Sequence, residues 1–396
     1  MITVLMLSRD TALVTQPLGD SRQRHLAYAA RAGKLTIVVY TPPGLGGAVD
    51  VSPQLTLIPS NSRHPVFFVY DAIRLSTRAA RNTRFDLIAT QEPFATGLAG
   101  CWLRERLRAP LLVQNHSFFF GNPVWLAERP IRNHLLWLVG SFVLSRADMY
   151  RTVNRKEREH FVAKGGSERR VVTLPLGTAA QTFAQPVDPE RLDALRAQLG
   201  LSADNPVVLW VGYPVGVKRV PRLLKVFKRV ADRLPGARLV LIGDMSRSPD
   251  DLAALAVAEG IADKVIMHGP VLHSDLPVYY QLGNVYAHTS AYEGVPRVLF
   301  EASAAGLPLV ALDAVGVNEV IEDGVNGYLA PEMDVDGMAG RILSLLKDPL
   351  QAKAMGERAR EIAFHRYDAD RYIDTWVGVW RKAIRLGRRK RRGMRL

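Results

Sequence analysis

Short apolar runs alternate along this chain with longer stretches in which apolar residues return every three or four positions. In the first half the runs are residues 2–7, 35–40, 55–59, 87–90 and 111–114, and with almost no polar face they predict strands covered on both sides. Residues 22–32 and 66–80, between them, carry helical spacing. A run at 171–177 closes this series, and Pro186 and Pro189 among small polar residues predict a linker after it. A second series follows at 207–211, 239–242, 265–267, 285–288 and 309–312 and ends in helices from Asp336 onward. Strand–helix alternation of this kind predicts two doubly wound α/β domains, residues 1–178 and 179–369, with a last helix and tail at about 370–396.

A chain of 396 residues, 48% hydrophobic and 23% charged, is long enough for two domains that each bury their own core. No continuous apolar stretch reaches the ~18 residues of a membrane span, and no basic region precedes an apolar one at the N-terminus. A cytoplasmic protein is the expectation. The single Cys101 excludes a disulfide framework or a zinc cluster and reads as a structural thiol.

The net charge of +14 is uneven, because residues 1–180 and 381–396 are basic while residues 181–380 are acidic. Two basic regions around an acidic one predict a face that meets an anionic partner. Anionic lipid headgroups fit best, each nearby Lys or Arg contributing about 1 kcal/mol, which implies peripheral contact with the inner face of the cell membrane. Nucleic acid is disfavoured, since no basic motif is interleaved with aromatic residues. A solvated tail that aids solubility is the plainer reading of residues 381–396.

Candidate chemistry concentrates at Glu293 and Glu301, which bracket Gly294, Val295, Pro296, Arg297, Val298, Leu299 and Phe300 just after the run at 285–290. Pro296 suits the opening of a helix, so Glu293 falls on the loop before it and Glu301 inside it. Backbone amides at that helix N-terminus favour a phosphate or sugar oxygen, and a carboxylate one turn further in suits a diol such as ribose.

This segment resembles the Glu-x7-Glu motif of the retaining, nucleotide-sugar-dependent glycosyltransferases of family 4, of the kind that assemble bacterial polysaccharides and glycolipids. Downstream, Gly306-Leu307-Pro308 and the run after it resemble the helix stop and strand that follow the motif in that family. Gly316 to Glu319 and Gly324 to Gly327 look like its Gly-Gly-x-x-Glu loop and Gly-x-x-Gly turn. Upstream, Val211-Gly212, then Lys218, Leu223, Leu224 and Phe227, is similar to its phosphate-binding Gly-Arg…Lys-Gly segment. Here the chain departs from the family, with Tyr213 in place of the arginine and Arg219 in place of the second glycine.

The resemblance implies the GT-B fold, two facing Rossmann-like domains with the C-terminal helix returning to the first. It also implies transfer of a hexose from a UDP- or GDP-sugar to a glycan or lipid-linked acceptor at the membrane surface, with no cofactor. By the same resemblance Glu293 orients the donor sugar, His116 approaches it and Lys218 stabilises the diphosphate. Gly19, Arg219 and residues Gly294, Val295, Pro296, Arg297 and Val298 bind the donor, and Glu301 holds the ribose. Asn115 is the alternative to His116. Rival readings are a GT-B-type nucleotide-sugar epimerase and a non-catalytic nucleotide-sugar binding module.

No metal is expected, because Asp334-Val335-Asp336 reads as a helix N-terminus, where aspartates cap, Asp368-Ala369-Asp370 lies near the final helices, and neither follows a strand. The apolar residues 134–144 read as a core helix. Phe118, Phe119, Phe120 and Trp125 are the candidates for contact with lipid.

Overall fold

The computed structural model describes residues 1–177, 180–367 and 369–393. It divides into two units, Met1–Pro175 with Asp370–Leu396, and Leu176–Ala369. In the first, β1 (Ile2–Ser8), β2 (Gly33–Val39), β3 (Val49–Ser52), β4 (Leu55–Pro59), β5 (Leu87–Thr90), β6 (Leu111–Gln114), β7 (Met149–Thr152) and β8 (Val171–Thr173) form one sheet. Its order is β3-β4-β2-β1-β5-β6-β7-β8, parallel throughout except for the edge pair β3–β4. The apolar pattern misses β3 and β7, because β3 alternates polar residues at an exposed edge and β7 carries Arg151 in its interior. The strand foreseen at 171–177 stops at Thr173, ahead of Pro175, which has no N–H to give a ladder.

Three helices of this unit matter below: α1 (Asp20–Ala32), α2 (Pro130–Arg146) and α3 (Arg155–Ala163). The helix anticipated as core at 134–144 is α2, and one stripe of its apolar side chains faces outward while Val143, Leu144 and, in part, Trp137 pack into the core. Ile131, Leu135, Leu138 and Phe142 are 83%, 60%, 57% and 48% exposed, whereas Phe118, Phe120 and Trp125 are buried. Ring packing explains the reversal: Phe94 lies 6.1 Å from Trp125 and 5.3 Å from Phe119, gathering these aromatics into the interior. The C-terminal helix, Ala369–Gly393, belongs to this unit: Trp376 and Trp380 are buried, Tyr28 of α1 packs edge-on against Trp380 at 6.1 Å, and Arg388 reaches Asp86 at 2.8 Å. The helix runs on through residues 381–393, and with Ala383, Ile384 and Gly387 buried, residues 381–388 are not a solvated tail; residues 394–396 lie outside the described residues.

In the second unit, β9 (Val207–Val211), β10 (Arg238–Ile242), β11 (Val265–His268), β12 (Val285–His288), β13 (Leu309–Leu312) and β14 (Gly327–Ala330) pair in parallel in the order β11-β10-β9-β12-β13-β14. The helices that shape its site are α4 (Val220–Arg233), α5 (Arg297–Ala304) and α6 (Val335–Lys347). On α4, Leu223, Leu224, Phe227 and Val230 form the buried stripe that the spacing foretells. Asp334 caps α6, accepting from the Gly337 amide at 2.8 Å, so this aspartate is spent on the helix. Asp368 lies outside the described residues. Strand order reverses between β9 and β12, and beyond the carboxyl ends at such a switch point a doubly wound sheet opens a crevice.

Candidate functional site

Lys218 follows β9 and Glu293 follows β12, so parallel pairing of these two strands brings both to the switch point of the second sheet. The two loops are stitched together: the Thr289 hydroxyl donates to the carbonyls of Lys218 at 2.9 Å and Arg219 at 3.3 Å, and the Ala291 amide donates to Val217 at 2.9 Å. Glu293 is also held from the far side, its amide donating to the Val315 carbonyl at 2.8 Å. Gly316, at φ +87°, is required there, because a Cβ would stand 2.6 Å from the Glu293 carbonyl. The glycine loop singled out in the sequence is thus the floor under Glu293.

At the carboxylate, Oε1 pairs with the Lys218 ammonium and accepts from the Ser290 hydroxyl at 2.7 Å, with His288 Nε2 at 3.5 Å. Burial alone raises the Glu293 pKa, but Lys218 and then His288 outweigh it and hold it at about 2. Glu293 is an acceptor with a fixed negative charge. Glu301, buried on α5, is satisfied differently: it accepts from Tyr280 at 2.9 Å and His273 at 3.2 Å, and Arg297 stands 3.9 Å away.

The donor-binding residues anticipated around this pair are not all gathered. Pro296 is the N-cap of α5, and Val295 and Val298 pack partly against the core. Arg219, held at φ +50°, pairs with Glu332 and so is turned to another partner. Tyr213 is exposed, and Arg247 lies 4.3 Å over its ring, returning a cation to the loop where the motif lacks one. Arg247, His273, Tyr280, His288 and Ser290 had escaped sequence reasoning. For His288 and Ser290 a signal existed: polar side chains ending an apolar strand-like run are both buried.

In the first unit, Gly19 opens α1, its carbonyl accepting from the amides of Arg22 at 3.0 Å and Gln23 at 3.1 Å. His116 and Asn115 follow β6. The structure separates them: Asn115 is fully buried and gives its amide to Glu157 at 2.7 Å and to Tyr150 at 3.1 Å, whereas His116 is exposed. His116 Nδ1 sits 3.1 Å from Nη1 of Arg151, a fully buried arginine that sequence reasoning passed over. Glu157, on α3, anchors the loop that carries His116, accepting also from Tyr150 at 2.8 Å and from the amides of Phe119 at 3.2 Å and Phe120 at 3.4 Å.

Cys101 is partly buried, and burial pushes its thiol up to about 11, too high for a nucleophile at neutral pH. Among the described residues no three His, Cys, Asp or Glu side chains are grouped to hold a metal, and no helix is long and apolar enough to cross a membrane.

Comparison with known proteins covers both units. A model of glycosyl transferases group 1 matches residues 193–362, and one of a glycosyl transferase 4-like domain matches residues 20–177. The chain is 30% identical over 278 residues to the alpha-D-kanosaminyltransferase of Streptomyces kanamyceticus, covering 70% of this chain and 71% of that one. It is 30% identical over 308 residues to the D-inositol 3-phosphate glycosyltransferase of Xylanimonas cellulosilytica, covering 76% and 73%. Its fold matches Anabaena HepE in complex with UDP and glucose, with a TM-score of 0.77, 19% identity and coverage of 96% and 99%.

Proposed function

Because the chain belongs to the family 4 glycosyltransferases of GT-B fold, enzymes that act on nucleotide sugars, we propose that it moves a hexose with retention from a nucleoside-diphosphate sugar to a glycan or lipid-linked acceptor at an anionic membrane surface, without a metal ion. One observation carries the donor half: the Lys218–Glu293 ion pair at the switch point. Glu293, kept ionised, accepts from hydroxyls of the donor sugar and orients it, while the Lys218 ammonium has protons left for the diphosphate and stabilises the charge that grows as that group leaves. Glu301 takes the ribose diol near the start of α5, and His116 hydrogen-bonds the donor sugar. The acceptor's proton passes to the departing phosphate oxygen. Because HepE holds UDP and glucose, a UDP-sugar is the first donor to test.

The exposed stripe of α2 supports the membrane side of this reading. Arg129, Arg132 and Arg146 flank it and are exposed, and Arg146 lies 5.3 Å over the Phe142 ring. An apolar face bordered by cations is the pattern of a helix that rests in an anionic interface.

Thermal shift against nucleoside diphosphates and their sugars should select one nucleotide, since a ligand at 100 times its Kd stabilises by about 2.7 kcal/mol. Transfer assays with the selected donor should keep their rate in EDTA and give the retained anomer. Release of free epimerised sugar without an acceptor would overturn the assignment.

A further inference from the structure

An arginine inside a parallel strand needs a reason. Arg151, on β7, has no exposed surface, and its Nε and Nη2 make no hydrogen bond among the described residues. Its contacts are the Trp376 ring of the C-terminal helix, 5.4 Å from the guanidinium, and His116 Nδ1, 3.1 Å from Nη1. A guanidinium carries donors only and stays protonated in proteins. His116 Nδ1 must therefore be the acceptor in this contact, which leaves Nε2 as the nitrogen that carries the ring's proton. A second proton, on Nδ1, would set N–H against N–H beside a fixed charge.

We propose that Arg151 is a positioning residue that fixes His116 as the neutral tautomer protonated on Nε2, so that His116 meets the donor sugar only as a hydrogen-bond donor and never as a base. This rests on the proposed placement of His116 at the sugar. In that role its Nε2–H donates to a sugar hydroxyl oxygen over the whole working pH range.

The surroundings push the same way. Arg24 and His25 of α1 face the ring as well, and Tyr28 and Tyr372 lie near Arg151. Asp20 is taken by Arg24 at 2.7 Å, and Asp10 accepts from the Ser21 hydroxyl and the Ala12 amide, so neither is free to draw a proton onto His116. His25 is itself neutral: its Nδ1 donates to the Ser21 carbonyl at 2.7 Å, its Nε2 accepts from Gln91 at 3.1 Å, and burial, then Arg24, lower it to about 4. Burial, then Arg151 and Arg24, also depress His116. Since the ring is exposed to solvent, the burial part is weakened, and the contact with Arg151 carries the effect.

The test is the nitrogen spectrum of His116 in the full chain labelled with 15N-histidine, assigned with His116→Gln and followed from pH 5 to 8. Expected in the wild type are an unprotonated Nδ1, a protonated Nε2 and no titration in this range. In Arg151→Met the ring should titrate near 6.5, the value for a free histidine, and kcat should fall about tenfold from pH 7.5 to pH 5.5 while KM moves less. A proton on Nδ1 in the wild type, or titration between pH 6 and 7, overturns the proposal. So does an Arg151→Met variant that is merely less stable, with the wild-type pH profile. Should that variant not fold, the wild-type spectrum decides alone. The placement at the sugar is tested separately: His116→Ala transferring at the wild-type rate refutes it and leaves the tautomer standing.

Discussion

Lys218 in the second unit and Arg151 in the first are both cations near the carboxyl ends of parallel strands, and each touches one candidate site residue. Their effects are opposite. Beside Lys218 the Glu293 carboxyl is kept charged; beside Arg151 the His116 imidazole is kept neutral. A fixed positive charge stabilises an anion and destabilises a cation, so the same physics yields an acceptor in one unit and a donor in the other. The two settings differ in compensation as well: Lys218 and Glu293 neutralise one another, while Arg151 meets an aromatic face and a ring nitrogen, and among the described residues two of its donor atoms find no hydrogen-bond partner. Keeping donors unmade in a buried place costs about 1–3 kcal/mol each.

Lys218→Met should break the second-unit half of this contrast most severely, lowering kcat/KM for transfer by about 100- to 1,000-fold. A loss of only a few-fold would remove Lys218 from the charge-stabilising role.

Acid and base should then separate the two units through their buried carboxylates. Glu293 has a depressed pKa, about 2 against an ordinary 4.5, so its contribution is present above pH 4.5 and is lost as pH falls toward 2; the shift corresponds to roughly 3 kcal/mol. Glu157 runs the other way. Burial raises it to about 8 against the donors of Tyr150, Asn115, Phe120 and Phe119, so its contribution is full below pH 4.5 and is lost as pH rises to 8. Hydrogen exchange corrected for intrinsic rates should show residues 115–120 loosening between pH 5 and 8, and the Glu293 loop loosening only below pH 4. Identical trends in both loops would contradict the contrast.

Glu301→Ala removes the acceptor shared by Tyr280 and His273, and donor binding measured by calorimetry should weaken about tenfold, worth roughly 1.4 kcal/mol. Unchanged affinity and turnover would take the ribose from Glu301. The smallest effect concerns the outer face of the first unit. Replacing Leu135 and Leu138 with serine should reduce flotation on anionic liposomes by a few-fold while leaving transfer to a soluble acceptor intact. Equal flotation would remove α2 from the membrane contact.

Much of this was legible before any coordinates. The strands whose interiors are apolar were readable as runs, whereas β3, β7 and β14 were not, because β3 is an exposed edge, β7 holds a buried arginine, and β14 is four residues long and starts on the glycine that ends a turn. Glu293, Glu301 and Lys218 stood out through spacing along the chain. Arg151 and Tyr280 did not, since each has its place by what it touches. For α2 the reading held on one face only: Val143 and Leu144 are buried while Leu135, Leu138 and Phe142 are exposed, and composition cannot say which face of an apolar helix is covered.

Local periodicity set by backbone geometry, two residues per strand repeat and about 3.6 per helical turn, let the sequence alone determine the alternation of strands and helices and with it two doubly wound α/β domains. Side-chain charge and exposure were decided only in three dimensions. Lys218 and Glu293 are 75 residues apart in the chain, and His116 and Arg151 are 35 apart. Parallel pairing brings such distant positions to one edge of a sheet, and the protonation states found there depend on neighbours and on excluded water, which no run of letters contains.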